Sequence, residues 1–176
     1  MNKDTNTSYY KYLKYKNKYI KLKEKIINKN IWVMDNFFEK QKFDTILNYS
    51  KNLLHELKSD NRVNSRQTLC LHPEKHKIIY DLIYDDIKFK NYIGMISNEN
   101  FKNRPSFPIE LRLYPTGSHG MAWHKDLSLF EPDCYEVVLT LENTSDSKFL
   151  YSDKKIHTNK NMLTIVKPNT IMHKVT

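Results

Sequence analysis

The stretch Tyr114-Pro-Thr-Gly-Ser-His-Gly-Met-Ala-Trp-His124-Lys-Asp126 sets an imidazole and a carboxylate two positions apart, and His173 follows further along the chain. On a β-strand the side-chain direction repeats every two residues, so His124 and Asp126 would project from one face, with Lys125 on the other. Two imidazoles and one carboxylate can occupy one face of an octahedral metal and leave the other positions open. That arrangement favours non-haem Fe(II) and oxygen chemistry. Taken alone, His-x-Asp has a bland alternative, a surface His beside a turn-capping Asp. His119 sits in a turn that gives it no fixed face, and it is read as a decoy or a loop residue. His157 lies in a Lys-rich turn and is read as solvated.

Short β-prone segments must position these side chains. From residue 108 onward they follow one another: 109–114, 121–126, 135–141, 148–151, 162–166 and 170–175, separated by polar connections such as Thr116-Gly117 and Lys167-Pro168-Asn169. Many short strands with turn signals predict a sandwich, jelly roll or barrel. Ahead of them, 31–38 mixes β-branched and aromatic residues and reads as a strand entering a turn. Residues 39–58 and 73–97 carry helical patterns, the first through Phe43, Ile46, Leu47, Leu53, Leu54 and Leu57. Helices first and strands afterwards predict an α+β fold. Trp123 is expected in core packing, and Gly117 and Gly120 in the turn.

At 176 residues the chain is long enough for one domain with a core. Its net charge of +9 is concentrated at the start, because residues 1–30 hold nine lysines against Asp4 and Glu24. The rest is close to neutral, so a nucleic-acid face would have to be that segment alone. Within it, 9–28 reads as a helix, with Tyr12, Tyr15, Tyr19, Leu22 and Ile26 on one stripe and lysines opposite. The stripe either packs on the domain or meets a partner. No apolar run approaches a membrane span, and the polar, Lys-rich start has no signal-peptide core. Cys70 and Cys134 form no metal or disulfide pattern. These features predict a reducing, cytoplasmic compartment. Heavy use of Lys, Asn, Ile and Tyr is what an AT-rich genome yields, such as those of many large DNA viruses.

Glu110-Leu-Arg-Leu-Tyr114, Gly117, Trp123-His-Lys-Asp126, the strand-like Glu136-Val-Val-Leu-Thr-Leu-Glu-Asn143 and Pro168-Asn-Thr-Ile-Met-His173 occur in that order. The set resembles the catalytic core of the Fe(II)/2-oxoglutarate-dependent dioxygenases, in their prolyl 4-hydroxylase-like branch. The resemblance covers 108–176 well, 31–107 loosely and 1–30 not at all. It implies a double-stranded β-helix (jelly roll) supported by N-terminal helices, with helical support over 31–107 and the jelly-roll core over 108–176. It implies Fe(II) held by His124, Asp126 and His173, with His173 on a late strand of the facing sheet. It also implies 2-oxoglutarate and O₂ as co-substrates, optionally ascorbate, and a protein or peptide side chain as substrate, prolyl first. Tyr114 matches the tyrosine that hydrogen-bonds the 2-oxoglutarate carboxylate, although a half-buried strand tyrosine is the plain alternative. Arg112 shares the parity of Tyr114 and Glu110, so it either points into the barrel or pairs with Glu110.

One departure stands out. The resemblance implies an Arg or Lys, shortly after the distal His or on 135–141, to hold the far carboxylate of 2-oxoglutarate. Neither place supplies one in 1–176. The expectation is therefore a fragment lacking the last strand, a substitute base among Arg112, Lys167 and Lys174, or impaired co-substrate binding. Two other functions stay open: a non-catalytic jelly-roll binding module, and a nucleic-acid demethylase of the same superfamily. Specificity is expected from loops 59–76 and 127–134.

Overall fold

The computed structural model describes residues 14–16, 30–61, 63, 65–97, 109–127 and 135–176. The chain divides into two compact units, Met1–Lys29 with Asp86–Lys102 and Asn30–Asp85 with Asn103–Thr176. The predicted 9–28 helix lies outside the described residues except at 14–16, which are helical. There Tyr15 is 70% exposed.

In the larger unit β1 (Ile31–Met34) leads to α1 (Lys40–Asn52), a single 3-10 turn, and the hairpin β2 (Lys58–Ser59) and β3 (Gln67–Leu71), followed by α2 (Lys77–Tyr84). Seven strands follow: β4 (Ile109–Leu113), β5 (Met121–His124), β6 (Glu136–Thr140), β7 (Lys148–Tyr151), β8 (Lys154–His157), β9 (Met162–Val166) and β10 (His173–Val175). They form three antiparallel sheets, ordered β1-β9-β6, β5-β10-β7-β8 and β2-β3-β4. The helical region expected over 73–97 is two helices, α2 and, in the smaller unit, α3 (Ile87–Ser97). Asp86 separates them, because its Oδ1 accepts from the Phe89 N–H at 2.8 Å, capping the start of α3.

The central strand β9 explains the core. It pairs with β1 on one side and β6 on the other, and all five of its residues are buried. A strand covered on both faces is largely apolar rather than alternating, which is why Met162-Leu-Thr-Ile-Val166 has Thr164 as its one polar residue. Ile31, Val33 and Val166 of this sheet pack against Phe149, Tyr151, Ile156 and Val175 of the four-stranded sheet. Burying each of these large side chains stabilises the fold by about 1.5–3 kcal/mol. Asn161 locks the entrance to α1. Its amide accepts from Phe38 N–H at 3.0 Å and donates to Phe38 O at 2.8 Å, while its own φ of 60° turns the chain into β9.

Three strands were not legible in advance, the two-residue β2 among them. β3 carries Gln67-Thr-Leu-Cys-Leu71 and is held by pairing along its whole length with β4. β8, which contains His157, is a Lys-rich edge strand paired with β7. Charge on an edge strand discourages pairing with another chain and hides the strand from a reading based on hydrophobicity.

Candidate metal centre

β5 and β10 are hydrogen-bonded neighbours, and His124 faces His173 across the ladder. His173 is therefore on the strand beside His124 in the same sheet, not in a facing sheet as expected. Asp126 lies just past the end of β5. Its backbone carbonyl accepts from Asn169 N–H at 2.8 Å, which ties it to the turn leading into β10. The partners in the ladder slip between His173–His124 and Val175–Met121, a bulge that places Met121 on the same face as the two histidines. Gly120 makes this approach possible: its φ is +65°, and a Cβ there would sit 2.1 Å from the Val175 carbonyl oxygen.

Each imidazole is oriented by backbone. His124 Nδ1 lies 2.7 Å from Ala122 O, and His173 Nδ1 lies 3.2 Å from Ile171 O. A carbonyl only accepts, so each Nδ1 carries hydrogen and each ring turns its Nε2 toward Asp126. Those Nε2 atoms face the two oxygens of one carboxylate, His124 at 3.6 Å from Asp126 Oδ1 and His173 at 3.4 Å from Asp126 Oδ2. The His173 ring also stacks on Phe149, with centroids 5.1 Å apart. Ligand atoms of His124, Asp126 and His173 all lie within 4.8 Å of one another, and this is the one such group among the described residues. Asp126 Oδ2 is buried and has no hydrogen-bond partner.

Two Nε2 atoms and a carboxylate converge on one point, and a cation there would be held by all three. Titration gives the same picture. Burial, then the hydrogen bond and charge of Glu136, push the Asp126 carboxyl up to about 7, against the opposing pull of Arg112. Burial would raise Glu136 as well, but its hydrogen bond with Asp126 and the Arg112 guanidinium hold it low. Burial lowers His173, keeping the ring neutral. A divalent cation would satisfy all three acceptors at once, and nitrogen and oxygen donors of this type suit iron.

No protein-family model matches the sequence, and no curated protein matches it. Solved structures do. A prolyl-4-hydroxylase from Pseudomonas putida superposes with a TM-score of 0.66 at 12% identity, over 89% of this chain and 90% of that one. A prolyl hydroxylase from Trichoplax adhaerens, in complex with a hypoxia inducible factor oxygen degradation domain peptide fragment, gives 0.60 at 15%, over 90% and 88%. The fold is that of the prolyl hydroxylase-like 2-oxoglutarate oxygenases.

In this prolyl hydroxylase-like frame the remaining candidates separate. Arg112 is one-third exposed, with Nε at 2.5 Å from Glu110 Oε2 and Nη1 at 3.0 Å from Glu136 Oε1. It spans from β4 to β6, whose facing edges have no strand partner among the described residues. Two carboxylates therefore occupy Arg112, and its reach toward the metal centre is through Glu136. Lys174 places Nζ 5.5 Å over the Trp123 ring. Trp123 is 46% exposed, so it is not the core residue expected; its neighbour His124 takes the inward face. His119 and His157 are exposed and stand apart from the group of three. Tyr114 OH lies 3.5 Å from Arg66 Nη1. Glu136 and Arg66 are the residues that sequence reasoning missed. Neither stands in a motif, and both are brought in by pairing between distant segments. A cavity of about 670 Å³ lies between the end of the β2–β3 hairpin, including Arg66, and residues 115–118, and the group of three does not line it.

Proposed function

We propose that this chain is an Fe(II)- and 2-oxoglutarate-dependent hydroxylase acting on a protein or peptide side chain, with a prolyl residue as first choice, built on a jelly-roll core. The observation that carries the reading is the convergence of two imidazole Nε2 atoms and a buried carboxylate oxygen without a hydrogen-bond partner in a prolyl hydroxylase-like fold. His124, Asp126 and His173 would hold the iron, whose open positions would take the 2-oxo acid and oxygen and so supply the oxidising chemistry. The chain's own part is positional. Ala122 O and Ile171 O fix the rings, Phe149 supports His173, and Glu136 holds Asp126 from its outer side. Tyr114 is placed to donate to a carboxylate of the co-substrate. A peptide or protein substrate is supported by the peptide bound to the Trichoplax enzyme.

The test is metal-dependent conversion of 2-oxoglutarate to succinate, coupled to hydroxylation in a proline-containing peptide library. Activity that vanishes in Asp126→Ala supports the reading. A chain that binds no divalent metal sinks it.

One observation favours a second reading, a non-catalytic binding module: Glu110 and Glu136 already occupy Arg112, the first candidate for the co-substrate anchor. Metal binding without any 2-oxoglutarate binding would select that alternative.

A further inference from the structure

A five-carbon diacid chelated at one end must place its second carboxylate in the protein. Buried without a cation, that carboxylate would cost several kcal/mol. Among the described residues Arg66 is the one buried Arg or Lys. Its side chain and that of Asp60 are each only 3% exposed, and they are ion-paired. Asp60 Oδ2 takes the side of the guanidinium formed by Nε, at 2.8 Å, and Nη2. The end of the guanidinium points elsewhere: Nη1 lies 3.5 Å from Tyr114 OH and 3.6 Å from Met121 Sδ.

Met121 gives the direction. Through the bulge it opposes Val175, just as His124 opposes His173, so the Met121–Val175 rung lies beside the metal-centre rung on one face. Val175 is two residues from His173, and at about 3.3 Å per residue the two rungs are roughly 6–7 Å apart. That is about the reach of an extended 2-oxoglutarate from its chelating end to its far carboxylate. The phenol of Tyr114 stands beside the same guanidinium and offers a second donor.

We propose that Arg66, together with Tyr114, is the receptor for the distal carboxylate of the 2-oxo acid. The cation thus comes from the loop before β3, and not from Arg112, Lys167 or Lys174. Asp60 holds the guanidinium in place from the side while its end, Nη1 and the outer hydrogen of Nη2, is presented to the ligand. This rests on the function proposed above.

The experiment compares 2-oxoglutarate with 2-oxopentanoate, which has the same chain but a methyl group in place of the far carboxylate. Both are titrated calorimetrically into the full chain loaded with Mn(II) under argon. The wild-type protein should prefer 2-oxoglutarate by roughly ten- to a hundredfold, the usual worth of a charge-assisted hydrogen bond. In Arg66→Met the preference should collapse to near unity while the affinity for 2-oxopentanoate is unchanged. Because Arg66→Met removes the ion-pair partner of the buried Asp60 side chain, the paired variant Asp60→Asn/Arg66→Met is measured alongside, with a melting curve to show that it folds. Tyr114→Phe should lose part of the preference. Equal affinities in the wild-type protein, a preference that survives in the folded variants, or a parallel loss for both acids each overturn the assignment; the last would make Arg66 a hairpin staple. A Mn(II)-loaded wild-type chain that binds neither acid overturns the proposed function itself, and the assignment with it.

Discussion

At the residue scale the candidate centre brings together ligand atoms of His124, Asp126 and His173 that a divalent cation would satisfy. Each of His124→Ala, Asp126→Ala and His173→Ala should weaken Mn(II) affinity by more than about a hundredfold, because even loss of a supporting partner of a metal ligand commonly costs ten- to a hundredfold. Calorimetry on each variant checks this, and an unchanged affinity removes that residue from the site. Protons compete with the metal. Asp126 holds its proton up to about pH 7, so Mn(II) affinity should fall as pH drops below that value, by up to about tenfold per unit for one displaced proton. Glu136→Gln takes away the charge that raises Asp126, and a Gln amide can donate to it. The midpoint of the pH dependence should therefore move down. A midpoint that stays or rises would show that Glu136 does not control the Asp126 proton.

At the scale of elements, the pairing of β5 with β10 decides whether the ligands meet. Gly120→Ala puts a methyl group into the Val175 carbonyl and keeps a left-handed φ, whereas Gly117, at φ +80°, has nothing within 4 Å of its would-be Cβ. Gly117→Ala should cost only the left-handed penalty, about 1–2 kcal/mol. Gly120→Ala should cost clearly more, and it should also weaken metal binding because β10 must shift. Urea denaturation of both variants, beside Mn(II) titrations, tests the contrast; equal losses would show that the close approach to Val175 is not required. Asn161 is the corresponding lock for β9. Asn161→Ala strands the Phe38 N–H and C=O, and each buried group left unpaired should cost about 1–3 kcal/mol in the same assay.

Across the whole molecule, a bound ion stabilises whatever fold assembles its ligands. Mn(II) at a hundred times its dissociation constant should add about 2.7 kcal/mol, a rise of roughly 5–10 °C in melting temperature for a chain of this length. A chelator should reverse it, and Asp126→Ala should not show it. The metal-free protein carries the opposite dependence on pH. Since the Asp126 carboxyl is raised in the folded state to about 7 from 3.8, its contribution to stability is present below about pH 4 and is lost as pH rises through about 7. The metal-induced shift should therefore grow from pH 6 to pH 8. A shift that shrinks over that interval would argue against Asp126 as the ligand that titrates.

His173 was joined to His124 and Asp126 by the resemblance and not by spacing, whereas the pairing of His124 with Asp126 could be read from the sequence because a period of two along a strand is a local property. The same holds for the strands that bury one or both faces, such as β9, whose apolar run, interrupted only by Thr164, records its central place. Other features were set by partners far away in sequence. β3 and β8 are strands because β4 and β7 pair with them, and their own residues carry little hydrophobic signal. Trp123 faces outward because His124 faces inward. Pairing of Arg112 with Glu110 was one of the two readings of its parity, but the second carboxylate, Glu136, is brought within 3.0 Å only by β6. Arg66 looked like a loop residue until the β3–β4 pairing buried it against Asp60, Tyr114 and Met121. The candidate ligands were thus legible in part from the local pattern. The charge environment was not, since burial and pairing of ionisable groups arise only when distant segments exclude water together.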